Sequence, residues 1–372
     1  MGIPFEKLKP PKWGGDVPGP VERAPLVLGP GCVIDPPVVL SPMAAVTNPP
    51  FRKICREMGA GLVCTEMVAA RGLIHGAKKA LKLVDLQPDE TPVSVQIFGK
   101  DPREMGEAAR IAEEMGADAV DVNMGCPMRK VVSSGHGAAL LRDPGRVREI
   151  FEAMSEAVTI PVTGKTRAGW EDTDAITVAQ AMQEGGATAI TIHGRTRCDF
   201  YDGHVDLAVI AELKKSVDMA VIGNGDVCDW QSARRMFHVT GCDAVMVARG
   251  ALGNPWVFRE IAADMAGRPV PARPSPRERR ATIARHVELY VESFDEEVMC
   301  RQIRKHLLWY FRETPGEKVL RRLLADLRSA EDVMGAVDEA LQANAELADG
   351  VLQHPRAYED PTAAGRCRIA NS

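Results

Sequence analysis

Eight short apolar runs, each closing on a glycine or a polar residue and each followed by a helical pattern, constrain this chain more than any other feature. They are "VVLSPM" (38–43), "GLVCTEM" (61–67), "PVSVQIFG" (92–99), "AVDVNMGC" (119–126), "PVTGKTR" (161–167), "AITIHGR" (189–195), "MAVIGNG" (219–225) and "AVMVARG" (244–250). Most are nearly continuously apolar, as a parallel strand covered on both faces requires. Between them, stretches such as "DPREMGEAARIAEEMGA" and "DPGRVREIFEAMSEAV" repeat apolar residues at three- and four-residue spacing. Asp-Pro opens both, as N-cap and first helical residue. Eight alternating β and α units predict a (β/α)8 TIM barrel over residues 38–267. An open doubly wound sheet is the alternative; eight parallel strands with no G-x-G-x-x-G after the first fit it less well.

The flanks read differently. "LVLGPGCVIDPP", within residues 1–37, predicts two short strands around a glycine turn, an N-terminal extension that caps the barrel bottom. The Pro- and Arg-rich run around 268–276 is a linker. Residues 277–352 hold four helical stretches and no strand, which predicts a small all-helical domain, and the apolar-poor tail 353–372 is expected to be disordered. The composition, 45% hydrophobic and 26% charged, is that of a soluble globular protein. No run approaches the ~18 apolar residues of a membrane span, and the first residues lack the apolar core of a signal peptide. Nine scattered cysteines, none spaced C-x-x-C, argue for reduced thiols in a cytoplasm and against a zinc site or any other metal. Net charge is −5, yet residues 271–330 carry 13 Lys+Arg against 9 Asp+Glu. A basic segment on an acidic body points, weakly, to nucleic acid.

Barrel chemistry sits where the strands end, because the loops there form one mouth. Read in order, the ends offer Met43, Glu66, Gln96, Asn123 with Cys126, Lys165 with Arg167, His193 with Arg195, Asn224 with Asp226, and Arg249. Taken singly, each is as well explained by a structural role; their convergence on one end is the signal. "GNGD" (223–226) and "ARGALGNPW" (248–256) put glycines directly after the last two strands, where backbone N–H groups approach a phosphate and Arg249 can close on it. A flavin fits the remainder. Lys165 would supply the cation near N1/O2, Gln96 the amide for the pyrimidine edge, and Pro42-Met43-Ala44 an apolar floor. FMN is favoured because nothing suggests a separate nucleotide domain.

These residues resemble the tRNA-dihydrouridine synthases, in particular the bacterial DusB-like branch. "SPMAAVTNPPFR", "GAGLVCTEMV", "VQIFG", "DVNMGCPMRKV", "TIHGRT", "NGD" and "RGALGNPWVFREI" carry the resemblance over about Val38 to Ile261, with an echo in "IRKHLLWYF" (303–311). It implies FMN contacts at Pro42, Met43, Ala44, Gln96, Lys165, His193, Asn224, Gly225, Asp226, Ala248 and Arg249. It also implies that NADPH, or NADH, reduces the flavin, that a uridine extruded from folded tRNA stacks on it, and that Cys126 is the proton donor. The chemistry suits a thiol: with hydride delivered to C6 of uracil, C5 needs a proton, and a thiol with a pKa near ~8.5 still carries one at neutral pH. Asn123 is expected to donate to the uracil edge. The family often has Gly where Ala248 stands; a methyl there is tolerated only if φ is negative.

RNA must reach the mouth. Arg129, Lys130, Arg167, Arg195 and Arg197 come from loops on that side, and the resemblance implies that the helical domain also grips tRNA. In "RQIRKHLLWYFRE", Ile303, Leu307, Leu308 and Phe311 are expected to pack inward, leaving Arg301, Arg304 and Lys305, with His306, for the RNA backbone. The chain is expected to be monomeric. Two other readings stay open: an FMN barrel acting on a free pyrimidine, as a dihydroorotate dehydrogenase does, and a non-catalytic RNA-binding protein.

Overall fold

The computed structural model describes residues 18–172 and 174–348. The terminal tail expected from 353 lies outside them. A hairpin of β1 (Leu26–Gly29) and β2 (Cys32–Ile34) turns at Gly31, whose φ of +77° suits glycine. Then come β3 (Val38–Leu40), β4 (Leu62–Cys64), the two-residue β5 (Val68–Ala69), β6 (Val93–Phe98), β7 (Ala119–Asn123) and β8 (Val162–Arg167). The last three are β9 (Ala189–His193), β10 (Ala220–Asn224) and β11 (Ala244–Val247). All but β1, β2 and β5 form one ring of parallel strands. β4 pairs with β6, and β11 pairs with β3, Val247 opposite Leu40, to close it. Each of the eight apolar runs contains one of these strands, so the expected (β/α)8 barrel is the observed fold.

The crossovers carry α1 (Pro49–Glu57), α2 (Ala70–Ile74), α3 (Lys78–Leu83), α4 (Pro102–Glu114), α5 (Arg129–Val132) and α6 (Pro144–Ala157). After them lie α7 (Ala175–Glu184), α8 (Leu207–Ser216), α9 (Trp230–Thr240) and α10 (Val257–Met265). The two Asp-Pro starts are real caps: Asp101 accepts from the N–H groups of Arg103 and Glu104, and Asp143 from that of Arg146. Each is worth about 1 kcal/mol to its helix.

The hairpin side chains Leu28, Cys32 and Ile34 pack with Val39, Leu62, Ala119, Ala189 and Ala244, which lie at the first or second positions of their strands. The barrel bottom is therefore plugged, and ligands have the other end.

Four further helices complete the described chain: α11 (Pro276–Ser293), α12 (Glu296–Tyr310), α13 (Pro315–Leu323) and α14 (Ala330–Ala348). They share a core of Ile283, Tyr290, Met299, Ile303, Leu307, Phe311 and Val337, joined by Trp256 from the barrel side. Ile303, Leu307 and Phe311 are fully buried and Leu308 packs against this core, as the helical spacing predicts. Gly253, at φ +71°, lets the loop after β11 meet the backbone of Trp309; a Cβ there would lie 2.1 Å from that residue's carbonyl carbon. Asn48 donates to Tyr290 Oη (2.8 Å) and Gln302 Oε1 (2.9 Å), tying the loop after β3 to the helical region.

Candidate active site

One hydrogen-bonded relay runs from the barrel interior to Cys126. Asp121 stands opposite Gln96 in the β6–β7 register, inside the ring. Gln96 Nε2 donates to Asp121 Oδ2 (2.7 Å), Thr163 Oγ1 to Asp121 Oδ1 (2.8 Å), and Asn123 Nδ2 to Gln96 Oε1 (2.8 Å). Asn123 Oδ1 in turn accepts from the N–H of Cys126 (3.1 Å). Burial lifts the Asp121 carboxyl to about 6, against the pull of its Gln96 and Thr163 donors. An amide carries two N–H groups and two lone pairs, so Gln96 retains one of each for a ligand.

The Cys126 loop is held from other sides as well. The N–H of Ala138 donates to the Cys126 carbonyl (3.2 Å), and Arg167 Nε donates to the Gly125 carbonyl (2.8 Å). Gly137, at φ +60°, lies so close that a Cβ would fall 2.9 Å from the Cys126 oxygen. The half-buried thiol is pushed above its ordinary 9.0 by desolvation, with the Met128 N–H and Arg167 pulling the other way. It stays protonated at neutral pH.

The second half of the mouth is cationic. Lys165 Nζ donates to Asn224 Oδ1 (2.8 Å), and Asn224 Nδ2 to the Met246 carbonyl (2.9 Å). Desolvation, then the neighbouring Arg167, lowers the Lys165 ammonium to about 8. His193 is driven well below its ordinary value by burial and by Arg167, Lys165, Arg195 and Arg249, so its ring is neutral. Arg195 Nη1 lies 3.3 Å from His193 Nε2. A guanidinium only donates, so Nε2 accepts and the ring proton sits on Nδ1.

Asp226 organises the last loops. Both its oxygens accept from Arg195 (2.9 and 2.7 Å), Oδ1 also accepts from Arg249 (3.0 Å), and Oδ2 from the N–H of Val205 (3.3 Å). Gly225 and Asp226 both have positive φ, +126° and +53°. Ala248 has φ −112°, so its methyl imposes no left-handed strain. Pro42 and Met43 are half-buried and Ala44 is exposed at the rim after β3.

Three expectations need correction. Arg167 and Arg195, expected on RNA, are each 2% exposed. Arg167 donates to the carbonyls of Gly125, Thr196 and Phe200, and Arg195 to Asp226 and to the carbonyls of Asp202 and Gly203; they brace the mouth from within. His306 is buried against Phe51, His286 and Trp309, with ring centroids 5.0, 4.8 and 5.0 Å away, and offers nothing to RNA. Asn123 gives one amide N–H to Gln96 and accepts from Cys126, so its second N–H is left for a ligand, as in Gln96. Lys305 points to the mouth: its ammonium donates to the Ala45 carbonyl. Arg197 stacks on Trp170 (4.7 Å), while Arg129, Lys130 and Arg301 are exposed and Arg304 is half-buried.

Two residues here escaped the reading of the sequence. Asp121 had a signal, a carboxylate in the middle of a buried apolar strand. Tyr201 had none; its ring receives the guanidinium groups of Arg167 (5.4 Å) and Arg249 (5.5 Å).

A parallel eight-stranded barrel whose open end gathers a protonated thiol, a buried ammonium, a neutral imidazole and paired amides is the frame of an enzyme. Residues 39–346 match the dihydrouridine synthase (Dus) family. The chain is 41% identical over 288 residues to tRNA-dihydrouridine synthase B of Pseudomonas aeruginosa, covering 76% of this chain and 86% of that protein. It is 38% identical over 334 residues to tRNA-dihydrouridine synthase B of Xanthomonas axonopodis pv. citri, covering 89% and 95%. The chain belongs to the dihydrouridine synthase family. A solved structure, the 6-hydroxypseudooxynicotine amine oxidase HisD of Pseudomonas geniculata N1, shares the fold at 14% identity and a TM-score of 0.50, over 65% of this chain and 49% of its own.

Proposed function

We propose that this protein is a flavin-dependent tRNA-dihydrouridine synthase that reduces the C5=C6 bond of uridine, with FMN as cofactor and NADPH or NADH as reductant. The donor set fits that cofactor. A buried ammonium whose hydrogen-bond partner among the described residues is a neutral amide suits an electron-accepting ring in which reduction builds negative charge. Lys165, Asn224, His193 and the free half of Gln96 would hold the ring, Pro42-Met43-Ala44 would lie under it, and Gly225, Asp226, Ala248 and Arg249 would form the phosphate end. When bound, the reduced flavin supplies hydride to C6 of the uracil.

The residues of the chain do the rest. Cys126 gives its thiol proton to C5, so the product gains one hydride and one proton, and solvent returns the proton to sulfur. Asn123 and Gly137 fix the backbone that presents the sulfur. Arg129 and Lys130, exposed at the start of α5 three and four residues beyond Cys126, would meet RNA phosphates, as would Arg301 and Arg304 on α12. Arg197 is proposed to meet them from the loop after β9.

The observation that carries this reading is the relay ending on a protonated Cys126 at the barrel end that also holds Lys165. Its test is the absorption spectrum of the purified protein and its turnover of tRNA. The account expects a yellow protein that raises tRNA dihydrouridine when given NADPH. A protein that retains no FMN, or that turns over a free pyrimidine without RNA, contradicts it.

A further inference from the structure

The loop after β3, "PMAAVTN" (42–48), is fastened in two different ways. Its base closes on itself: the N–H of Met43 donates to Thr47 Oγ1 (3.1 Å), those of Val46 and Thr47 donate to the Met43 carbonyl (3.0 and 3.1 Å), and Arg52 Nη1 donates to the Thr47 carbonyl (2.9 Å). The Val46-to-Met43 bond closes a turn with Ala44 and Ala45 at its centre, and the peptide groups of Ala45 itself find their partners elsewhere. Ala45 is a non-glycine residue at φ +61°, a conformation that local sterics disfavour by about 1 kcal/mol or more.

Both peptide groups of that tip residue are caught from outside the loop. The Ala45 N–H donates to Glu66 Oε2, at the end of β4, and the Ala45 carbonyl accepts from the ammonium of Lys305, on α12. Glu66 and Lys305 also face each other electrostatically, each moderating the burial cost of the other. Three residues on, Asn48 is held by Tyr290 and Gln302 of the same helical region.

We propose that Lys305, acting with Glu66, is a positioning residue for the flavin: it clamps Ala45 and so holds the Pro42-Met43-Ala44 floor in the shape that receives the ring. The inference rests on the flavin reading above and goes beyond it by giving the helical region a share in cofactor binding. Lys305 acts through the Ala45 peptide and touches no reacting atom. The Ala45 N–H belongs to the peptide bond shared with Ala44, so releasing a clamp on Ala45 loosens the floor residue beside it.

The test is a titration of the apoprotein with FMN, followed by flavin fluorescence and by the visible spectrum of the bound flavin. Lys305→Met is expected to bind FMN roughly tenfold or more weakly, the loss appropriate to one charge-assisted hydrogen bond, and to shift the bound spectrum. Lys305→Arg should recover most of the affinity. Glu57→Ala cuts the Arg285 bridge at the same seam but away from the mouth, and should bind as wild type does. If Lys305→Met does not fold, Lys305→Gln carries the same expectation. Equal FMN affinity and an unchanged spectrum in the Lys305 variant overturn the clamp, as does an equal loss in Glu57→Ala, which would reduce the effect to loose docking. A wild type that takes up no FMN overturns the flavin reading first; a wild type that binds it beside an unaffected Lys305 variant overturns the clamp alone.

Discussion

The ammonium of Lys165 stands 2.8 Å from the amide oxygen of Asn224, across the one strand that separates β8 from β10. A cation buried against a neutral amide is poorly compensated, and that is why its pKa falls to about 8. An electron-rich ligand in the mouth would restore the balance.

FMN affinity should therefore fall as pH rises through about 8, where the free ammonium loses its proton. Lys165→Met should weaken binding at neutral pH and flatten the pH dependence, read by fluorescence titration. The apoprotein should respond oppositely. Because the folded pKa lies below the ordinary 10.5, Lys165 costs stability below about pH 8, and that cost fades as pH climbs toward 10.5. Lys165→Met should accordingly leave the neutral-pH melting temperature of the apoprotein unchanged or higher.

On the proposed mechanism Cys126 acts with its proton on. Cys126→Ala and Cys126→Ser should keep FMN and NADPH oxidation while uridine reduction drops by about 10²–10⁴, the usual weight of a general acid. Desolvation raises the thiol above 9.0, so the alkaline limb of the wild-type rate should lie above that pH. Single-turnover mixing of reduced enzyme with tRNA across alkaline pH measures it.

How far these features were legible in the sequence follows from what each depends on. The barrel strands were, because continuous apolar runs and Asp-Pro caps are local signals. The convergence of Gln96, Cys126, Lys165, His193 and Asn224 followed from the fold, since strand ends share one mouth. The partners of Arg167 and Arg195 were not legible. A loop arginine reads the same whether it reaches solvent or folds back, and their acceptors on Gly125, Phe200 and Gly203 depend on how three loops cross. His306 did carry a signal: it lies three residues after Ile303 and four before Tyr310, on the buried face of α12. The contact of Lys305 with Ala45 spans 260 positions and had none.

Asp226 should prove structural as well as cofactor-facing. Its side chain and that of Arg195 are 0% and 1% exposed, so Asp226→Ala leaves a buried guanidinium without its bidentate partner. Removing one member of such a pair costs about 3–5 kcal/mol. Denaturant unfolding of the apoprotein should show that loss, with Asp226→Asn intermediate.

Gly137→Ala tests the support behind the thiol. The substitution puts a methyl 2.9 Å from both the Cys126 oxygen and Val131 Cγ1, at a φ of +60°. The Cys126 loop must shift, so uridine reduction should fall by about tenfold or more while FMN affinity holds, because a displacement near 1 Å is enough to disturb a proton transfer. Steady-state kinetics beside an FMN titration separate the two.

The most direct test of the account is dihydrouridine in tRNA, measured by mass spectrometry after incubation with purified protein, FMN and NADPH. Wild type should add two hydrogens to specific uridines of tRNA lacking the modification, and Cys126→Ala, loaded with FMN, should add almost none. No gain with flavin-loaded wild type, or an equal gain with Cys126→Ala, would contradict it.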